Sequence, residues 1–224
     1  VMISELKDMN ILFVSCHPDD VEIFAGGTLA KLNKTNKVYV AVVCDGARGG
    51  NTTQRVNECI SSFKKLGLYS HQYNFLFLKN DKLKDNELFK VENEVVYEIE
   101  ALIKNYDIDI MFTHHPNDYH QDHRVVGTAS MAAGRNMKNI IFYSPTFPSG
   151  RTQIPVRPNL FVQLTEEDIE MKLKALSMHS SQIKRYGKED YVDSMKQYAR
   201  GVALKNSGNY SGWEEEFEIN RITL

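Results

Sequence analysis

The stretch Ile11-Leu12-Phe13-Val14-Ser15-Cys16-His17-Pro18-Asp19-Asp20-Val21-Glu22 decides how the chain is read. Ile11 to Ser15 is a short, mostly apolar run with the length of a buried strand. Pro18 fixes one φ angle and stiffens the turn that follows. From Val21 to Lys34 the period changes, with Ile23, Leu29 and Leu32 on one apolar face, which predicts a helix. A buried strand that feeds a helix through a tight turn is the opening unit of a parallel α/β sheet.

The alternation continues outward from this unit. Lys37 to Cys44 is rich in β-branched residues and predicts a second strand. Asp45 to Asn51 is a Gly-rich turn. Thr52 or Thr53 can cap a helix that runs to about Leu66 and stops at Gly67, with Val56, Ile60 and Phe63 on its apolar face. Tyr73 to Leu78 is a third strand, Leu88 to Tyr106 an amphipathic helix, and Ile108 to Thr113 a fourth strand. His123 to Met137 is a further helix and Ile140 to Tyr143 a fifth strand. This order predicts a three-layer α/β/α fold, Rossmann-like, around a mostly parallel sheet.

The pattern changes after Tyr143. Pro145, Pro148, Pro155 and Pro158 break up a loop over 145–158, long enough for a lid, a substrate wall or a plain connector. Asn159 to Leu164 reads as another strand. Thr165 opens a helix with Glu166, Glu167 and Asp168 in its first turn, where the helix dipole favours negative charge. A helix over Lys188 to Leu204 and an edge strand over Phe217 to Leu224 complete the expectation. The chain is thus read as one domain over residues 1–224 with a C-terminal elaboration.

Composition narrows the function classes. A chain of 224 residues can bury a sizeable core, and 42% apolar with 25% charged residues is ordinary for a soluble protein. A net charge of −2 leaves no basic excess for nucleic acid. No apolar run approaches the roughly 18–20 residues of a membrane span. Glu5, Lys7 and Asp8 precede the first strand, which argues against a secretory leader. Cys16, Cys44 and Cys59 are widely spaced and make no disulfide framework, so a reducing, cytoplasmic setting is expected. Cys44 and Cys59 read as small buried hydrophobes. Cys16, beside His17, is a candidate thiol nucleophile or metal ligand.

Two stretches carry the chemistry. Ser15-Cys16-His17-Pro18-Asp19-Asp20 falls just past the first strand. His114-His115-Pro116-Asn117-Asp118-Tyr119-His120-Gln121-Asp122-His123 follows the fourth. Both lie at the carboxyl edge of the sheet, where open α/β folds bind ligands. Five of the seven histidines lie in these two stretches, together with four aspartates. A catalytic zinc site needs three N or O ligands and one open position, and two close ligands plus one distant ligand can build it here. The residues alone do not decide which of Asp19 and Asp20 faces a metal.

These stretches resemble the LmbE-like family, also called the PIG-L or GlcNAc-PI de-N-acetylase family of zinc-dependent sugar deacetylases. Its pattern His-Pro-Asp-Asp-x-Glu is His17 to Glu22 here, and Gly-Gly-Thr-Leu-Ala is Gly26 to Ala30. The distal His-x-Asp-His pattern is His120 to His123. Asp45-Gly46 with Arg55, Ser181-Gln182, and Glu215 to Phe217 match weaker features, so the resemblance covers most of the chain. Many members carry Glu soon after Asp-Gly, where this chain has Ala47 and Arg48.

The resemblance implies His17, Asp20 and His123 as zinc ligands and Asp19 as general base. It implies His120 as the group that stabilises the oxyanion or protonates the leaving amine, with an imidazolium suited to that task. Asp122 is read as a carboxylate that holds one imidazole in orientation, or else as a helix N-terminal residue that satisfies backbone N–H groups. Arg55 is a cation in the first turn of its helix, against the dipole. That conflict and the resemblance point to contact with sugar hydroxyls or a phosphate, the alternative being a surface salt bridge. The expected reaction is removal of an N-acetyl group from an N-acetylglucosamine-type small molecule. A deformylase or thiol-conjugate amidase would use the same residues. Two His and one carboxylate also make the facial triad of an iron(II) enzyme, so the ligand set admits Fe2+ beside Zn2+, although the α/β alternation argues against an oxygenase. The sequence does not fix an oligomeric state; the resemblance is to a family that includes assemblies, so a homo-oligomer is admitted, with the apolar C-terminal strand able to pair across subunits.

Overall fold

The structure, a computed structural model, describes Ile3 and residues 6–145, 156–186 and 190–223. Strands β1 (Asn10–Ser15), β2 (Lys37–Val42), β3 (Tyr73–Phe75), β4 (Ile110–Thr113) and β5 (Ile140–Tyr143) pair in parallel. Strands β6 (Leu160–Leu164) and β7 (Trp213–Arg221) extend the sheet by antiparallel pairing. The order across the sheet is β3-β2-β1-β4-β5-β7-β6. Helices α1 (Asp20–Leu32), α2 (Thr52–Lys65), α3 (Glu92–Asn105) and α4 (Gln121–Ala133) connect the parallel strands. Helices α5 (Glu166–Leu176), α6 (Ser180–Tyr186) and α7 (Asp190–Ser207) lie between β6 and β7.

Right-handed crossovers put α1 and α2 on one face of the sheet and α3 and α4 on the other. The contacts agree: α1 and α2 both pack on α5, and α3 packs on α4. This is the expected three-layer α/β/α arrangement. Covered on both faces, the central strands are continuously apolar rather than alternating. Ile11, Leu12, Phe13 and Val14 are all fully buried, and the Phe13 ring stacks on Phe112 of the neighbouring strand at 4.6 Å.

The strand order fixes where a ligand can bind. The chain leaves β1 toward β2 on one side, while β4 lies on the other. The two turns therefore diverge and open a crevice beyond the carboxyl ends of β1 and β4.

Several boundaries differ from the sequence reading. The third strand stops at Phe75, because Leu76–Leu78 closes into a 3₁₀ turn. Helix α3 begins at Glu92, preceded by a separate 3₁₀ turn over Leu88–Lys90. The cap of α2 is Asn51, whose side chain accepts from Gln54 N at 2.9 Å, not Thr52 or Thr53. Most of the Pro-rich loop, 146–155, lies outside the described residues. The largest correction is β7. It begins at Trp213, four residues earlier than expected, and lies between β5 and β6 rather than at an edge. With hydrogen-bonded neighbours on both sides it has no free edge to offer another subunit.

The early start of β7 brings three glutamates into the interior. Glu215 accepts from Gly27 N at 3.1 Å and Thr28 N at 2.7 Å, and from Lys172 Nζ at 2.5 Å. Lys172 Nζ also donates to Ile23 O at 2.8 Å. The Lys172 stem lies against α1 at Gly26, where a Cβ would stand 3.1 Å from Lys172 Cγ. A Cβ on Gly27 would stand 2.5 Å from Leu164 Cδ1 of β6. Both charged groups are buried, so removing one strands the other. Glu215→Ala is expected to lower the unfolding free energy by about 3–5 kcal/mol in urea titration, and Glu215→Leu combined with Lys172→Met to recover part of that loss.

Candidate active site

The turn after β1 is held by its own polar groups. Ser15 Oγ donates to His17 O at 2.7 Å and accepts from Val21 N at 3.3 Å. Asp20 Oδ2 accepts from His17 N at 2.7 Å. The backbone makes this tight reversal at Asp19, the N-cap of α1, with φ 138°. A residue with a Cβ in that region stores roughly 1–3 kcal/mol of strain. The strain sits where adjacent carboxylates are sent to different places.

The turn after β4 is anchored to the first one. His114 Nε2 accepts from Cys16 N at 2.9 Å. Asp118 Oδ1 accepts from His120 N at 2.8 Å, and Asp118 Oδ2 lies 2.9 Å from His123 Nδ1. Helix α4 begins at Gln121, two residues before the expected start, so His120 is its N-cap and His123 lies in its first turn. The helix rests directly on the loop backbone: a Cβ on Gly127 would meet His114 O at 2.6 Å.

Together the two turns form a triangle of donor atoms. His17 Nδ1 lies 3.1 Å from Asp20 Oδ2, His123 Nε2 lies 3.3 Å from Asp20 Oδ2, and the two ring nitrogens are 3.3 Å apart. Metal–ligand bonds of about 2.0–2.1 Å at tetrahedral angles give edges of about 3.3 Å. The three expected ligands thus fit three corners of a tetrahedral site. Charge agrees with geometry. Burial opposes ionisation of Asp20, but the His123 and His17 cations hold its carboxyl well below the usual range. Burial likewise opposes a charge on His123, and the Asp20 and Asp118 carboxylates still lift it to about 9. Positive charge is stabilised at this point, and a divalent cation would supply it on the same three atoms while displacing the imidazole protons.

The geometry separates Asp19 from Asp20, which the residues alone left open. Asp20 is in the triangle. Asp19 Oδ1 instead accepts from Arg55 Nη2 at 3.0 Å. Burial raises the Asp19 carboxyl to about 6 against the pull of Arg55. Arg55 is 3% exposed, which removes the surface salt-bridge alternative. It borders the cleft, with Nη1 donating to Gly46 O and Nη2 to Pro18 O and Asp19 Oδ1. Gly46 and Gly49 leave room for this guanidinium, since a Cβ on either would collide with Arg55 Nη1. What Arg55 visibly does is hold Asp19.

His120 stacks on His123 at 4.5 Å and meets the His17 ring edge-on at 5.0 Å. Burial and the cations at His123 and His17 push it down to about 4, so its ring is neutral where an imidazolium was expected. Asp122 is fully buried and accepts from Asn86 N at 2.5 Å, with Oδ2 3.7 Å from His17 Nε2. It therefore faces the His17 ring and serves a distant loop rather than its own helix end.

Two carboxylates behind the ligands carry more of the geometry than the sequence indicated. Asp118 holds His123, and Asp85 Oδ1 lies 3.5 Å from His17 Nε2. Asp118 stands inside the second motif, but Asp85 comes from a loop with no motif of its own. Cys16 is fully buried, and burial drives its thiol well above the usual range, so it is unsuited to act as a nucleophile. The centre opens on a cleft of about 370 Å³, with Arg48, Gln182, Arg185 and Tyr186 on its walls.

A nitrogen–oxygen triangle with a separate buried carboxylate beside it, set at a sheet switch point, is the equipment of a metal-assisted hydrolase. The sequence pattern of the PIG-L family, GlcNAc-PI de-N-acetylase, matches residues 12–134, and the chain belongs to this family of hydrolytic deacetylases. An uncharacterised deacetylase of Escherichia coli, YaiS, is 34% identical over 182 residues, covering 78% of this chain and 92% of that protein. The N,N'-diacetylchitobiose deacetylase of Pyrococcus horikoshii superposes with a TM-score of 0.71 at 23% identity, over 95% of this chain and 84% of that one. The fold alone does not set the reaction. The 4-carboxy-2-hydroxymuconate hydratase GalB of Pseudomonas putida shares it with a TM-score of 0.72 at 15% identity, over 96% of this chain and 98% of that one.

Because Asp118 fixes the ring of His123, Asp118→Ala is expected to weaken metal binding about 10–100-fold. Competition against a chromophoric chelator measures this. Unchanged affinity would mean that α4 packing alone orients His123.

Proposed function

We propose that the chain removes the N-acetyl group of an N-acetylglucosamine-type sugar or sugar conjugate, with zinc held by His17, Asp20 and His123. The observation that carries this reading is the triangle of donor atoms with the Asp19 carboxylate beside it but outside it. Zinc bound there supplies Lewis acidity and brings the pKa of a water toward about 7. The chain's own residues do the rest. Asp19, ionised and held by Arg55, takes the proton of the attacking water. The neutral His120 ring faces the same space, where an N–H can donate to the carbonyl oxygen as it gains charge. Asp118, Asp85 and Asp122 keep the ligand imidazoles in one orientation. The protonated Asp19 can then return its proton to the departing amine, which restores the carboxylate.

Membership in a hydrolytic family sets the oxygenase alternative aside. Zinc is preferred over iron because the triangle has tetrahedral edges and the reaction needs no redox change. Deformylation or cleavage of a thiol-conjugate amide would use the same atoms, and the substrate decides between them.

Asp19→Ala is expected to cut acetate release from N-acetyl amino sugars by about 10²–10⁴-fold with one zinc per chain retained, read by acetate assay and metal analysis on one sample. Full activity in that variant would remove Asp19 from the role of base. A zinc-loaded wild type that releases formate but no acetate would replace the deacetylase reading with a deformylase.

A further inference from the structure

The mouth of the cleft differs in charge from its floor. Asp19, Asp20 and Asp85 lie on the floor, whereas Arg48 and Arg185 stand on the wall. They come from distant parts of the chain, one from the loop after β2 and one from α6. Arg185 Nη1 donates to the Arg48 carbonyl at 2.9 Å, which seats the α6 guanidinium against that loop. The loop itself is pinned from both sides. Arg48 N donates to Asp85 Oδ2 at 2.8 Å, and Gln182 Nε2 donates to Gly49 O at 3.1 Å.

Among the described residues neither guanidinium has a counter-ion. Among the described residues the arginine ion pairs are Arg55–Asp19 and Arg135–Glu100. The acids near Arg48 are engaged elsewhere. Asp85 serves the Arg48 backbone and faces His17, and Asp45 accepts from Ala47 N and Asp85 N with Lys84 3.7 Å away. Two like charges on a pinned wall repel each other, and an anion between them removes that repulsion. Arginine also presents paired donors in a planar fork that matches carboxylate and phosphate oxygens. Tyr186, half-exposed on the same wall, adds an aromatic face.

We propose that Arg48 and Arg185 form an oxyanion subsite, and that the substrate is an N-acylated amino sugar carrying a phosphate or a carboxylate on the part that lies toward the cleft mouth. This rests on the deacetylase reading above.

Calorimetric titration of the zinc-loaded protein with glucosamine and with glucosamine 6-phosphate reads the subsite without hydrolysis. The phosphorylated amine is expected to bind about tenfold or more tightly, with an advantage that shrinks as salt is raised. The Arg48→Gln, Arg185→Gln double variant is expected to lose that advantage, and the Arg48→Lys, Arg185→Lys variant to keep part of it. Both side chains are exposed, so neither variant disturbs the core. Acetate release from N-acetylglucosamine, its 6-phosphate and N-acetylmuramic acid then separates phosphate from carboxylate as the group selected. Equal binding of the neutral and charged amines, or a preference that survives the double Gln variant, overturns the subsite. Charge-selective binding without acetate release from any of the three keeps the subsite and overturns the deacetylase reading. Equal binding with equal acetate release does the reverse.

Discussion

One carboxylate oxygen organises the centre. Asp20 Oδ2 takes the backbone N–H of His17, closing the turn after β1, and lies within 3.4 Å of ring nitrogens on His17, His114 and His123. An anion that meets the His17 backbone N–H and the His17 and His123 rings is stabilised despite its burial. The same oxygen therefore does two jobs: it sets the backbone conformation of the His-Pro-Asp-Asp turn and fixes the third corner of the ligand triangle. Asp19 is a consequence of that closure. With its neighbour's carboxylate turned inward, the chain reverses at Asp19 through a strained φ, and the Asp19 side chain leaves in another direction toward Arg55.

Charge alternates outward from this point. The imidazoles around Asp20 are backed by Asp118, Asp85 and Asp122, and Asp19 is backed by Arg55. Each buried charge has an opposite one behind it, which is the condition under which charged groups are tolerated in a low-dielectric interior. The alternation ends, among the described residues, at the cleft wall with Arg48 and Arg185. Opposite signs at floor and mouth would orient a substrate that carries its charge away from its amide.

Much of this was legible in the sequence, and the reasons are local. The strands were found because β1, β4 and β5 are buried on both faces and read as apolar runs. The meeting of His17, Asp20 and His123 was legible because two motifs sit at strand ends that the βαβ rule brings together. What escaped depends on partners far away in the chain. Asp85 lies in a loop whose place is set by hydrogen bonds to Asp45 and Arg48, forty residues earlier. Helix α6 is short and polar, with Ser180 and Ser181 bound to Glu58 of α2, so no apolar period announces it. The start of β7 was not legible because Glu214, Glu215 and Glu216 form a charged run without the apolar pattern of a buried strand. They are buried, and the groups that bond them come from α1, α5 and α7 and from Ser144 just after β5.

Those glutamates also explain why the C-terminal segment belongs with the catalytic half. Helix α1 carries Asp20 at its first residue, so its position decides where the ligand points. Lys172 of α5 binds the α1 backbone about one turn further along, at Ile23 O, and Glu215 of β7 about two turns along, at Gly27 and Thr28 N. His179, just beyond α5, lies 3.0 Å from the buried Glu22 of the same helix, whose other contact is Ser62 of α2. Burial disfavours a charge on His179, but the Glu22 carboxylate keeps its pKa raised. Helix α1 is thereby clamped by two buried charge pairs, both completed by residues beyond position 170. A sheet of the first five strands would carry His17, Asp20 and His123 and still leave the helix that aims Asp20 without these anchors.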